Sequence, residues 1–269
     1  MKKSLIILLL SFFLITCTSP ENVSSVNVYS IGETKVSVIE QGCSHSHPGV
    51  LLVSLHNNES TSLKAAKQYL NEISGRLVYI QNNGERLIEF KDQDKSYFFD
   101  PNRIYSTAGI DSTITILSSH YNAYAAAEVS KFAKSLIADY IHSSNLIISL
   151  HNNRDNSLSV LTYKNDSDKN KRFGKAFINP AMDIDDFIIT TDTSIFNRIK
   201  EKNINVVWEN FDAIKDDGSL SVYAARHSIP YINIEAEHEH LEEQLRMLFI
   251  LEDIIKEYGQ KTGKYNNEK

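Results

Sequence analysis

Two cysteines in 269 residues leave little material for disulfides. Cys17 stands at the end of an amino-terminal leader over residues 1–16, so Cys43 is the one cysteine expected to remain a thiol in the body of the chain. No intrachain disulfide is then available, even in an oxidising compartment. Stability has to come from a buried core. Basic charge is also short: 28 Lys and Arg stand against 34 Asp and Glu, a formal net charge of −6. Removing residues 1–16 takes two lysines and no acid, which leaves −6 − 2 = −8. That balance argues against nucleic acid as a partner and against electrostatic adhesion to anionic lipid. With 5 prolines and 10 glycines, no Pro/Gly linker or low-complexity segment divides the chain. One domain over 26–259, followed by a polar tail at 260–269, is expected, and that length suffices for one large core.

Long apolar runs are scarce too. Leu5 to Ile15 is uncharged but falls short of the ~20 residues that span a bilayer. Lys2 and Lys3 precede it and Thr16-Cys17 follow, the layout of a secretory signal. Leu14-Ile15-Thr16-Cys17 resembles a bacterial lipobox. The resemblance implies that residues 1–16 are removed and that Cys17 becomes the lipidated first residue. Residues 17–25 would then form a tether, and the protein would sit in the bacterial cell envelope facing the periplasm or the exterior. An ordinary signal peptide with an incidental cysteine is the alternative.

What is present is an alternation of strands and helices. Val26–Val28 and Thr34–Val38 alternate apolar and polar residues, as half-buried strands do. Val50–Leu55 and Asn145–Leu150 are nearly continuous apolar strands of a sheet interior. Ser60 or Thr61 caps a helix that carries Leu63, Ala66, Leu70 and Ile73 and ends at Gly75. Leu77–Gln81 is a strand, and Arg86–Lys91 is expected to pair back on it across Asn82-Asn83-Gly84. Asn122–Ile141 is a long helix. Leu158–Tyr163, Asp186–Thr190, Asn205–Trp208 and Pro230–Glu235 read as strands, with a helix over Ser194–Lys202. His240–Tyr258 closes the chain as one amphipathic helix. The expected class is an α/β sandwich with a largely parallel sheet, whose function collects at strand carboxyl ends.

One five-residue string occurs twice, as Ser54-Leu55-His56-Asn57-Asn58 and Ser149-Leu150-His151-Asn152-Asn153, each time at the end of an apolar strand. His56 and Glu59 are three apart where strand passes into helix, so a helical first turn points both to one side. Two imidazoles and a carboxylate are normal zinc ligands, and a catalytic site leaves the fourth position open. His56, Glu59 and His151 are therefore the candidate metal ligands. A satisfied buried histidine and a helix-start acid would give the same letters. Asn102-Arg103 offers a carboxylate clamp, because guanidinium is fork-shaped. Glu235, on the last strand, is carried toward the same region as a candidate general base. Glu237 has the same facing and is its rival. Cys43, His45 and His47 form a possible second cluster or simply an exposed loop. Asn57, Asn58, Asn152 and Asn153 either orient the ligands or suit the turns.

This ordered set resembles the zinc carboxypeptidases, the carboxypeptidase A-like family, and the succinylglutamate desuccinylase/aspartoacylase branch related to it. The matching pieces are His56-x-x-Glu59, Asn102-Arg103, His151 at a strand end, and Gly218-Ser219 with Glu235 following 235 − 218 = 17 residues after the glycine. The resemblance implies a three-layer α/β/α sandwich around a mixed sheet of about eight strands. It implies one zinc held by His56, Glu59 and His151, Glu235 as base, and a substrate carboxylate on Asn102 and Arg103. The implied activity is hydrolysis of an amide bond in a peptide or amino-acid conjugate with a free carboxylate. N-acyl amino acid hydrolysis, or binding without catalysis on the same fold, are the alternatives. The arginine that polarises the scissile carbonyl in the family has three candidates here, Arg76, Arg86 and Arg154.

Overall fold

The structure is a computed structural model, and it describes residues 23–42, 49–72, 75–92, 94–118, 121–155, 157–165, 173–210 and 215–260. Cys17 and the Cys43-His45-His47 cluster lie outside the described residues. A nine-stranded sheet forms the middle layer, in the order β1-β2-β4-β3-β7-β11-β9-β10-β8. Its members are β1 (Val23–Ile31), β2 (Thr34–Gly42), β3 (Val50–Ser54), β4 (Arg76–Gln81), β7 (Leu146–Asn153), β8 (Phe173–Phe177), β9 (Phe187–Thr190), β10 (Val206–Glu209) and β11 (Tyr231–Glu237). A separate ribbon pairs β5 (Ile88–Asp92) with β6 (Lys95–Phe99).

The centre is parallel: β4 with β3, β3 with β7, and β7 with β11. β1, β2 and β8 add antiparallel edges, and β9 runs against β11. The sheet is mixed as expected, its nine strands are one more than the expected eight, and three of its parallel pairs are gathered at the centre. β3 is buried at every position, as a strand covered by helices on both faces must be.

Leu51, Val53, Val78, Ile147 and Tyr231 pack on one side with α2 (Thr107–Leu117), α3 (Ala123–Leu136) and α6 (Leu220–Arg226). Leu52, Leu77, Ile148, Ile232 and Ile234 pack on the other with α1 (Ser60–Glu72), α5 (Thr193–Glu201), α7 (Leu241–Ile250) and α8 (Glu252–Gln260). Alternate residues of one strand therefore feed two cores. Each large apolar side chain so buried contributes about 1.5–3 kcal/mol.

Several expected elements differ. Residues 23–25, expected in the tether, pair with Gly42, Gln41 and Glu40 as the start of β1, because the edge of β2 offers them backbone partners. Gln260, expected in the tail, ends α8. β5 pairs with β6 and not with β4, whose two edges are taken by β2 and β3. Leu158–Tyr163 is largely helical, as α4 (Val160–Asn165), packing Val160 and Tyr163 on Phe187. The helix expected over Asn122–Ile141 is capped by Asn122 and passes into a wider π turn at Ile137–Ile141. The last helix breaks at Leu251, whose backbone N–H already turns back to Leu248.

Candidate metal centre

β3, β7 and β11 end side by side, and the three deliver His56, His151 and Glu235 to one cleft. Leu55 and His56 follow β3, and the N–H of Glu59 turns back to the His56 carbonyl at 3.3 Å. The Glu59 carbonyl then receives Leu63 N–H as the first bond of α1. This tight step is what sets a ligand pair three residues apart on one side.

His56 is 1% exposed, Glu59 3%, His151 5% and Glu235 7%. Glu59 faces both imidazoles: its Oε1 lies 3.0 Å from His56 Nδ1 and its Oε2 3.0 Å from His151 Nδ1. The two Nδ1 atoms are 3.3 Å apart. Zinc–nitrogen bonds of 2.0–2.1 Å in a tetrahedron place ligand atoms about 3.3 Å from each other. The donor set has the spacing of that polyhedron.

The far side of the His56 ring decides its tautomer. His56 Nε2 donates to Asp100 Oδ1 at 2.8 Å. His151 Nε2 lies 2.8 Å from Ser149 Oγ. With Nε2 of His56 protonated, its Nδ1 lone pair faces His151 Nδ1 and Glu59. Two imidazole nitrogens and a carboxylate thus converge in one buried space, with the Arg86 guanidinium 2.7 Å from Glu59 Oε1 at its edge. The residue types and their spacing fit a metal ion.

Electrostatics around the site follow the same pattern. Burial pushes the Glu59 carboxyl up, but the two imidazoles outweigh it and hold the group well below the usual carboxylate range. Burial likewise opposes ionisation of Asp100, and His56 and Arg86 overcome it. Burial pulls His56 down, yet Asp100 and Glu59 leave its pKa raised above the ordinary value. Glu235 is raised chiefly by burial.

No protein-family model matches the chain. No curated protein matches it. Solved structures do. Its backbone is similar to the succinylglutamate desuccinylase from Chromobacterium violaceum, at 12% identity over 90% of this chain and 71% of that one, with a TM-score of 0.45. It is similar to carboxypeptidase A from Helicoverpa armigera at 11% identity over 87% and 68%, TM-score 0.47. It is also similar to the product-bound ectoine utilization protein EutE from Ruegeria pomeroyi at 12% identity over 88% and 64%, TM-score 0.44.

Asn102 and Arg103 line the same cleft, which encloses about 660 Å³. They are placed by glycines. A Cβ on Gly109 would lie 2.3 Å from Gly218 Cα and 2.6 Å from the Arg103 carbonyl, and Gly218 has φ +74. Leu220 N–H bonds Asn102 Oδ1 at 3.0 Å, and Tyr105 N–H bonds the Gly218 carbonyl at 2.9 Å. Two loops thus meet backbone to backbone beneath the clamp. Gly218→Ala is expected to cost more than ~1 kcal/mol of stability, since alanine is strained at positive φ. Chemical denaturation of this variant beside the parent checks it.

Of the candidate arginines, Arg76 is held by Glu40 at 2.7 Å on β4. Arg86 reaches the site, with Nη1 2.7 Å from Glu59 Oε1 and Nη2 3.5 Å from Asp100 Oδ2. Arg154 lines the cleft as an exposed residue. Glu237 groups instead with Asp155 and Asp185. The repeated asparagines fasten loops: Asn57 Oδ1 accepts from Asn82 and Gly84 N–H, and Asn152 Oδ1 accepts from Ser62 N–H at 2.9 Å.

Asp100 is the residue that sequence reasoning passed over. It accepts from His56 Nε2 and from Asn102 N–H, so it joins a metal ligand to the clamp. Its signal was the Asp-Pro-Asn string, in which an aspartate bonds its own chain two residues on. Asp100→Asn is expected to weaken zinc binding by about 10–100-fold, the usual cost of losing a partner behind a ligand. Competition with a zinc indicator dye measures it.

Proposed function

We propose that the chain is a lipid-anchored, zinc-dependent hydrolase that cleaves an amide bond in a peptide or amino-acid conjugate bearing a free carboxylate. The observation that carries the reading is the convergence of three buried groups of metal-ligand type, His56, His151 and Glu59, beside Glu235. Zinc held there would supply Lewis acidity and lower the pKa of water to about 7. Glu235, opposite His151 in the β7–β11 register, takes a proton from the attacking water as it bonds to the carbonyl carbon. As the C–N bond breaks, Glu235 returns that proton to the leaving nitrogen. Arg103, with Asn102 fixing its loop, holds the substrate carboxylate. Arg86, at the edge of the ligand set, is the arginine placed to polarise the carbonyl.

A second reading, N-acyl amino acid hydrolysis, is favoured by the cations of the cleft. Arg86, Arg103 and Arg154 all line it, more than one substrate carboxylate requires. The assay that separates them offers the zinc-loaded protein C-terminal dipeptides and N-acyl amino acids in parallel. Release of C-terminal residues supports the first reading, and release only of free acyl acids supports the second. Full zinc without turnover of either set would leave a binding protein.

The anchor rests on Leu14-Ile15-Thr16-Cys17 after the apolar run. No helix among the described residues is long and apolar enough to cross a membrane. Metabolic labelling with an alkyne fatty acid is expected to mark the wild type and not Cys17→Ser, and equal labelling of both would reject lipidation at Cys17.

A further inference from the structure

Asn233 is out of place by the ordinary rules of a central strand. It sits in the middle of β11, between β7 and β9, opposite Ser149 on one side and Ile189 on the other. Period-two alternation puts its side chain on the same face as Tyr231 and Glu235, and all three line the cleft. Its Nδ2 donates to Glu235 Oε1 at 2.9 Å. A carboxylate can only accept, so this bond fixes which end of the amide is which. Oδ1 is thereby turned away, and it is buried with no hydrogen-bond partner. An unsatisfied buried acceptor is costly, and the fold retains it here beside Glu235.

Resting on the hydrolase reading, we propose that Asn233 is a positioning residue for the general base. It ties down Oε1 of Glu235, which leaves the second carboxylate oxygen as the one that moves the proton. A carboxylate held by one oxygen loses rotamer freedom and keeps its remaining lone pairs in a fixed direction. Asn233 need not touch the substrate for this.

The test compares Asn233→Thr with Asn233→Val, two side chains of nearly one shape, only the first of which carries a donor. Turnover is measured on whichever dipeptide or N-acyl amino acid the wild type cleaves, with zinc content and melting temperature followed in parallel. The expected result is a kcat for the Val variant lower by about tenfold or more, a fraction of what a base contributes. KM stays within about twofold, zinc content is unchanged, and the Thr variant recovers most of the kcat. Equal losses in both variants, or a loss that tracks zinc content or melting temperature, would show a packing role and overturn the proposal. Wild-type kcat in the Val variant would overturn it as well. A wild type that loads zinc yet cleaves neither set removes the hydrolase reading itself, and the Asn233 role with it.

Discussion

Glu235→Gln is expected to keep its zinc and to lose about 10²–10⁴-fold in kcat, the range that a positioned base contributes. The variant is nearly isosteric, so the β11 register and its pairing with His151 persist. Glu235 is not among the three groups that face one another at 3.0–3.3 Å, so metal retention is unaffected. Burial, joined by the Glu59 charge, leaves its pKa raised above the ordinary carboxylate value against the pull of His151 and Asn233. Steady-state kinetics alongside metal analysis tests both halves. Undiminished turnover with full zinc would pass the base to another group. Glu237 is then the first to examine, although it groups with Asp155 and Asp185.

His151→Ala carries the second large effect, loss of the metal together with all turnover. Removing one of three ligands leaves two donors where a catalytic zinc needs three. Stability responds in the same direction. A ligand present at a thousand times its Kd adds about 4 kcal/mol to the folded state, so the wild type should melt at higher temperature with zinc than after chelation. In the variant the two curves should coincide. The pH dependence has a definite sign. Zinc needs neutral imidazole, and Asp100 and Glu59 raise the pKa of His56, so protons compete harder than at a free histidine. Zinc affinity falls as pH drops through that raised value. Titrations at several pH values measure the slope, and a pH-independent affinity would place the ion elsewhere.

Much of this arrangement was legible because its signals are local. The apolar runs at Val50–Leu55 and Asn145–Leu150 became β3 and β7, since a short, nearly continuous apolar run suits a doubly covered strand. His56 and Glu59 are linked by one turn; the helix expected after them is α1, although Ser60 and Thr61 lie inside it and Glu59 stands where one of them was expected as the cap. Long-range pairing was not legible. The Asn82-Asn83-Gly84 string makes a turn, yet the following strand joins β6, because β2 and β3 already occupy both edges of β4. Leu158–Tyr163 has the letters of a strand, and tertiary packing on Phe187 makes most of it helix. Asp100 and Asn233 escaped notice for a related reason. Their partners, His56 at 44 residues' distance and Glu235 on a strand face, are defined only once the sheet closes.

The convergence of His56, Glu59 and His151 on one ion is tested most directly by elemental analysis of the purified mature protein after zinc loading and desalting. The structure predicts about one zinc per chain in the wild type, as a three-ligand site binds, and almost none in His151→Ala. Less than roughly a tenth of an equivalent in the wild type, or equal zinc in both proteins, would contradict it.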